Sequence, residues 1–498
     1  MSAALFIAIA YFVVLSAGVS LWARKRVKSG VDFVTGGGSL AWPLVMAGFV
    51  LAPLGAGHTL SLWESSDNLG VAVLWWGIMS GGIMVPLFLL WFGPWFRRLN
   101  VQTFPEGMGK MFGEKIGWVI SAIFPAQLMG ICIAEVLATA TAFYALSGGA
   151  IPFAPHCIIL AIVLTILYIF VGGLMQAAWM NLCNAFVLII GSFIAVFYTG
   201  GWLSKSVNGG WDGSGWDGVA QHYAQVGTAW KTSLINFSPE VIFSLILPCL
   251  ILTVFMQSAS QVQNQPMLMA RSESDIRRGV FWAAFINSFA AFPWVILGIV
   301  GMAMPVIAAK ADAAKLSVPE FALLAFPPWL IGILMTSLLA ATLSTTGGLI
   351  LGASHIIVHD ILKRAVNPNM SDRTFLILTR SMIIVCALLV IIPALRNPGI
   401  MPLLYWIFSF AVPVFGVYLI GMLWKVNKIA AWTTLLAGYF ANFFWTFAEP
   451  TWLPSYLSLN VYPTIFATLF FGIVMNLVLP GKPGYLRQLK AKKNETPA

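Results

Sequence analysis

The chain has 498 residues, of which 59% are hydrophobic and 9% charged, with a formal net charge of +10. A soluble protein keeps about 25% of its residues charged to wet its surface, so this composition excludes a soluble fold and defines an all-α integral membrane protein. Continuous apolar runs exclude an outer-membrane barrel, whose strands alternate, and basic residues scattered along the chain exclude a nucleic-acid surface.

A window of about 20 apolar residues gives thirteen expected spans, at 3–23, 41–66, 71–96, 116–145, 152–171, 174–199, 240–260, 279–305, 328–360, 375–395, 401–424, 429–447 and 462–480. The first is too long for a leader and lacks a small-residue cleavage site, so it reads as a retained helix. The second places Pro53, Gly55 and Gly57 at mid-membrane depth, and the seventh carries Pro248 in an otherwise apolar run. Proline removes a backbone donor and glycine relaxes a helix, so both segments are expected to break, with ordinary kinks as the alternative. Breaks at corresponding places in two halves point to a secondary transporter's midplane site, and the spacing of the two suits an inverted repeat of five plus five helices.

With the N-terminus outside, 22 of the 27 Lys and Arg fall in inside connections. This bias orients the N-terminus out and the C-terminus in the cytoplasm, as a multi-pass protein of the cell membrane. The five cysteines, Cys132, Cys157, Cys183, Cys249 and Cys386, lack metal-type spacing and read as packing residues rather than disulfide or zinc partners.

Three stretches carry a family resemblance. RRLNVQTFPEGMGKMFG (97–113), QNQPMLMARSESDIRRG (263–279) and LAATLSTTGGLILGASHIIVHDILKR (339–364) are similar to loops and to the Ser-Thr helix of the sodium:solute symporters, with IFVGGLMQAAWMNLCN (169–184) matching their Gly-Gly turn. Pro266 stands where those proteins have Arg. The resemblance covers roughly residues 3–480 and implies a LeuT-like fold. Residues 1–498 then form one transporter domain: an extra N-terminal helix at 3–23, inverted repeats at 41–199 and 240–424, two C-terminal helices in 429–480 and a basic cytoplasmic tail at 481–498.

Ala341, Ser344 and Thr345 stand at i, i+3 and i+4 and share one helix face. Two hydroxyls and a carbonyl facing the freed carbonyls of a broken helix can replace the water of a sodium ion; such hydroxyls can equally bond back to their own helix or stitch helices together. The resemblance implies that a co-transported sodium binds the backbone oxygens of Ala56 and Thr59 together with Ala341, Ser344 and Thr345. Met180 and Asn181 replace the Thr-Asp pair that supports a second ion in many members, so one sodium per solute is expected.

A carboxylate at the bilayer centre costs about 2.5–3.5 kcal/mol on insertion scales, so Glu64 and Glu135 read as functional. The resemblance implies that the first, second, third, sixth, seventh and tenth core helices line the solute pocket. It implies too that His58, Trp63, Glu64 and Glu135 face it. Without a neutralising Lys or Arg, and with tryptophans such as Trp63, Trp75, Trp76 and Trp179 near, an organic cation is the favoured solute. GAGHTLSLWESS (55–66) is also similar to the family's choline transporters. A neutral or carboxylate solute is the alternative, with Glu64 capping or tethering its half-helix, Glu135 protonated and the tryptophans forming an interfacial belt. A transporter-like sensor would need a signalling domain after the short tail. An enzyme would need a nucleophile or metal constellation, for which His355, His359 and Asp360 are poor candidates.

Overall fold

Hydrocarbon offers no water to backbone N–H and C=O groups, so a spanning chain must satisfy them internally. The computed structural model does so with helices; it describes residues 3–25, 27, 29–79, 81, 90, 94, 96–99, 101–205, 211–310, 312–396, 400–448 and 452–489. Among these residues nine helices are long and apolar enough to span, from Phe6–Ala23 to Ser455–Val478, and the bent pair Trp42–Leu51 with Ala56–Gly77 makes ten. Of the other three expected spans, 152–171 is a shorter apolar helix, Phe153–Ile169, and 429–447 is the helix Lys428–Ala448. The middle of 71–96, at 82–89, and the end of the basic tail, 490–498, lie outside the described residues. All five cysteines are free thiols.

The helix Pro328–Ile356 is the buried axis, packed by Ala3–Arg24, Glu114–Leu146 and Gly173–Leu203. Its small residues admit close neighbours. A Cβ at Gly347 would come within 2.9 Å of the Ile169 and Tyr168 side chains, and one at Gly348 within 3.1 Å of Val262.

The second span breaks where expected. Helix Trp42–Leu51 ends, Ala52–Gly55 are unwound, and helix Ala56–Leu69 resumes after a bend of 48°. Pro53 cannot donate to the carbonyl of Phe49, four residues back, and Asn287 Nδ2 donates to that carbonyl instead, at 3.4 Å.

The seventh span breaks elsewhere than at Pro248. Pro248 sits near the start of the helical turn Leu247–Leu252, after the π-helical turn Ile242–Ile246. The carbonyl it would have served, that of Ser244, accepts the Tyr405 hydroxyl at 3.1 Å, so the helix runs on. The break falls at Ser260, whose backbone is extended, before the half-helix Gln261–Met269. There Asn264 Nδ2 donates to the Ser258 carbonyl at 3.4 Å.

The inner ends of the two broken helices are joined. Leu40 N–H donates to the Met269 carbonyl at 2.9 Å and Arg271 N–H to the Leu40 carbonyl at 3.0 Å. Asp275 accepts from Trp42 N–H and from Arg271 Nε. On the same side, the wholly buried Asp360 gathers Thr103 Oγ1 (2.8 Å), Ser121 Oγ (3.1 Å), His359 Nδ1 (2.8 Å) and Arg364, which also meets Glu114 at 2.5 Å. His359 and Asp360 thus serve a structural junction, and among the described residues neither ring nitrogen of the buried His355 has a hydrogen-bond partner.

Removing one partner from a buried ionic junction costs about 3–5 kcal/mol. Asp360→Ala is therefore expected to lower the thermal midpoint of the purified protein sharply, or its folded yield, as read by size-exclusion chromatography and melting; an unchanged midpoint would contradict this role.

Candidate functional site

A cavity of about 70 Å³ lies between the two breaks, with room for a handful of waters at about 10–15 Å³ each. Ala52 and Pro53 border it from the first break and Ser260 from the second. The outer half-helix Ala56–Leu69 contributes His58, Ser61, Leu62 and Ser65, positions three, four and seven apart on one helical face. Helix Glu114–Leu146 adds Ile131 and Glu135, the axis helix adds Thr345 and Leu349, and residues near 400 add Leu404, Tyr405 and Phe408. Val73, Trp76, Leu252, Thr253, Met256 and Gln263 complete most of the wall. Aromatic rings run along one side, His58 to Trp76 at 5.9 Å and Trp76 to Tyr405 at 6.1 Å between centroids.

Glu135 has a specific task here. Its Oε2 accepts the N–H of Gly57 at 2.9 Å, and the N–H groups of Ala56 and His58 are directed at the same carboxylate. It thereby satisfies donors that the N-terminus of the outer half-helix leaves free, where the helix dipole favours negative charge. A Cβ at Gly55 would overlap the carboxylate, and one at Gly57 would lie 3.0 Å from Oε1. The two glycines in this segment are therefore room for Glu135 as well as helix breakers.

The expected sodium residues are partly brought together. Thr345 Oγ1 donates to the carbonyl of Leu51, the last residue before the first break, at 2.9 Å. Ser344 Oγ donates to Ala341 on its own helix at 2.7 Å. Ala56 opens the outer half-helix. Thr59 lies a turn further in, with both its N–H and its hydroxyl on the Gly55 carbonyl. The freed carbonyl that the axis helix reaches is thus that of Leu51. Asn181 accepts from the Tyr168 hydroxyl at 2.5 Å.

Of the four expected solute residues, His58 and Glu135 border the cavity, and Trp63 and Glu64 are not among its lining. Trp63 is five positions beyond His58, which rotates it off that face. It is 1% exposed, packed on Trp294 and bonded through Nε1 to the Lys315 carbonyl. Trp75 bonds the Leu234 carbonyl and Trp179 packs on Trp22. The seventh core helix, expected in the wall, contributes nothing to the described lining. Ser61 and Ser65 were legible from helical spacing with His58, whereas Gln263 and Tyr405 depend on where the second break falls.

Two broken helices meeting at a midplane cavity define a secondary transporter. The model of the sodium:solute symporter family matches residues 33–438, and the chain belongs to that family. The sodium/glucose cotransporter of Vibrio parahaemolyticus is 24% identical over 447 residues, 84% of this chain and 80% of that protein. The sodium/myo-inositol cotransporter 2 of Rattus norvegicus is 24% identical over 473 residues, 86% of this chain and 67% of that one. A sodium-coupled sialic acid symporter, solved substrate-bound and outward-open, superposes with a TM-score of 0.78 at 18% identity, covering 96% of this chain and 99% of that one. Mhp1, a nucleobase-cation-symport-1 family transporter, gives 0.59 at 12%, over 89% and 94%. The fold is LeuT-like, and the protein is a membrane symporter that carries a solute with sodium.

Displacing a buried carboxylate from its donors costs about 1–3 kcal/mol or more. Gly55→Ala is accordingly expected to lower the melting midpoint. Gly201→Ala, where a Cβ meets nothing within 4 Å in a regular helix, should leave the midpoint level or raise it slightly. Melting of the two purified variants beside wild type checks this, and equal midpoints for both would contradict the cradle.

Proposed function

We propose that the protein imports a small neutral, hydroxyl-bearing solute with one sodium ion, entering from the side on which the N-terminus lies. The observation that supports a neutral solute is the engagement of Glu135, the carboxylate in the described lining, by the half-helix N-terminus. A unit negative charge there faces roughly half a positive charge from the helix, and a nearby sodium adds one more. The remaining polar wall, Ser61, Ser65, Thr253, Ser260, Gln263 and Tyr405, offers hydroxyls and an amide suited to a polyhydroxylated molecule, while Trp76 and Tyr405 offer ring faces.

The organic-cation expectation rested on a free intramembrane carboxylate and on Trp63 and Glu64, and these supports weaken together. The likeness to choline-type members gains nothing from relatives named for glucose and myo-inositol.

For sodium, Ser344, Thr345 and the Ala341 carbonyl on the axis helix are the proposed ligands, with the backbone oxygens of the first break, Ala56 and Thr59 having been expected there. A hydroxyl that donates to a carbonyl, as both do, still presents lone pairs to a cation. An ion at this place bridges the broken helix and the axis helix, so it favours the arrangement in which the solute site is formed. Sodium and solute then couple because both prefer that state. Closing the outer path and opening the inner one delivers both.

Sodium should raise the melting midpoint of the purified protein, and Ser344→Ala and Thr345→Ala should each demand at least about tenfold more sodium for the same rise, a loss of about 1.4 kcal/mol in binding. An unaltered sodium response in both variants rejects the ligand assignment. The same assay with sugars, polyols, ammonium compounds and organic acids, with and without sodium, tests the solute class: the sodium-dependent ligand is expected among the neutral hydroxylated compounds, and an ammonium ligand would overturn that.

A further inference from the structure

Transporters built on broken helices use a half-helix N-terminus at the midplane to receive an anionic group of the solute. In this chain that position on the outer half-helix is filled from within. The Glu135 carboxylate belongs to a different helix, accepts Gly57 N–H at 2.9 Å, and is 3% exposed. It occupies the space that a Cβ on Gly55 would take. It nevertheless borders the cavity, beside His58 and Pro53. The place is built for an anion, by two glycines and a run of free N–H groups, and the anion is part of the protein.

We propose that Glu135 is a built-in substitute for a solute carboxylate: it positions the outer half-helix and makes the site discriminate against anionic solutes. This rests on the neutral-solute reading above. A second carboxylate about 4 Å away, at an effective dielectric near 20, is disfavoured on the order of a thousandfold by charge repulsion alone. It also finds the helix donors already engaged. A neutral solute meets neither obstacle. Without an anion at Gly57, the donors at the start of the half-helix would lose their charged acceptor, so the empty position should accept a small carboxylate from solution.

The test uses the full-length protein, with Glu135→Ala and Glu135→Asp beside wild type, melted at constant sodium in chloride, acetate, formate or the neutral isostere acetamide. Wild type should respond alike to all four. Glu135→Ala should melt lower in chloride and recover by several degrees across ~1–100 mM acetate or formate, but not acetamide. Glu135→Asp, which keeps the charge, should melt nearer to wild type than the Ala variant does. A purely structural side chain would give an Ala variant indifferent to the choice between acetate and acetamide, and that result overturns the proposal. Should the Ala variant fail to fold, wild type still decides: sodium-dependent stabilisation by gluconate equal to or above that by glucose overturns the discrimination, and its absence alongside a neutral ligand supports it. The two readings fail separately. An ammonium ligand for wild type would reject the neutral solute while leaving acetate rescue intact, whereas loss of acetate rescue rejects only the role of Glu135.

Discussion

A broken helix in hydrocarbon leaves backbone groups that no water can reach, and the architecture follows from where their partners come from. The Phe49 carbonyl, stranded by Pro53, is met by Asn287. The Leu51 carbonyl is met by Thr345 on the axis helix, and the N–H of Gly57 by Glu135 on the helix Glu114–Leu146. Each partner sits on a different helix from the one it serves. The first break is therefore a junction of four helices, and none of them can shift without exchanging or stretching a bond at its centre.

That dependence suits a carrier better than a rigid channel would. A net hydrogen bond contributes about 0.5–1.5 kcal/mol, yet leaving a buried group unmet costs about 1–3 kcal/mol. Rearrangements that trade partners are accessible, while those that abandon them are not. Thr345 has such a trade available, because its hydroxyl can stay on the Leu51 carbonyl and still offer oxygen to an ion. Glu135 behaves differently: its charge holds it to the half-helix N-terminus, and the glycines at 55 and 57 shape the space around it. One contact at the break is thus adaptable and another is fixed, within a single unwound turn.

The parts of this design that are local were legible in the sequence. Hydrophobic length marked the spans, and Pro53 with Gly55 and Gly57 marked the first break. The cost of an intramembrane acid singled out Glu135, and equally Glu64, which is not in the cavity lining. What escaped was set by contacts distant in the chain. Pro248 looked like a break because its consequence is cancelled by Tyr405, 161 residues away from the Ser244 carbonyl it serves. The true break, at Ser260, carries neither proline nor glycine. The Glu135 partner lies 78 residues upstream, so a costly carboxylate could be noticed but its use could not. Trp63 and Glu64 were placed at the site by nearness to the break, and helical rotation turns them away from it.

The contacts at the end of the fold where Leu40, Met269 and Asp360 lie sort by burial into weak and strong ones. Arg98 and Glu273 make a two-bonded pair at 2.6 and 2.7 Å, but both side chains are substantially exposed, 46% and 35%, and pairs of that kind contribute about 0–1 kcal/mol. Asp360 lies at the opposite extreme, wholly buried with two hydroxyls, an imidazole and a guanidinium around it. Between these stands the hydrogen-bonded bridge of Leu40 to Met269 and Arg271, which ties the inner ends of both broken helices to each other. Those two ends are therefore tied to each other, with the exposed Arg98–Glu273 pair as a weaker link at their edge. The Asp360 junction instead joins the end of the axis helix to Thr103 and Ser121. A path opened between these two groups of contacts would part weak, hydrated pairs and leave the buried Asp360 with its partners, and removing one partner from such a buried charge costs about 3–5 kcal/mol.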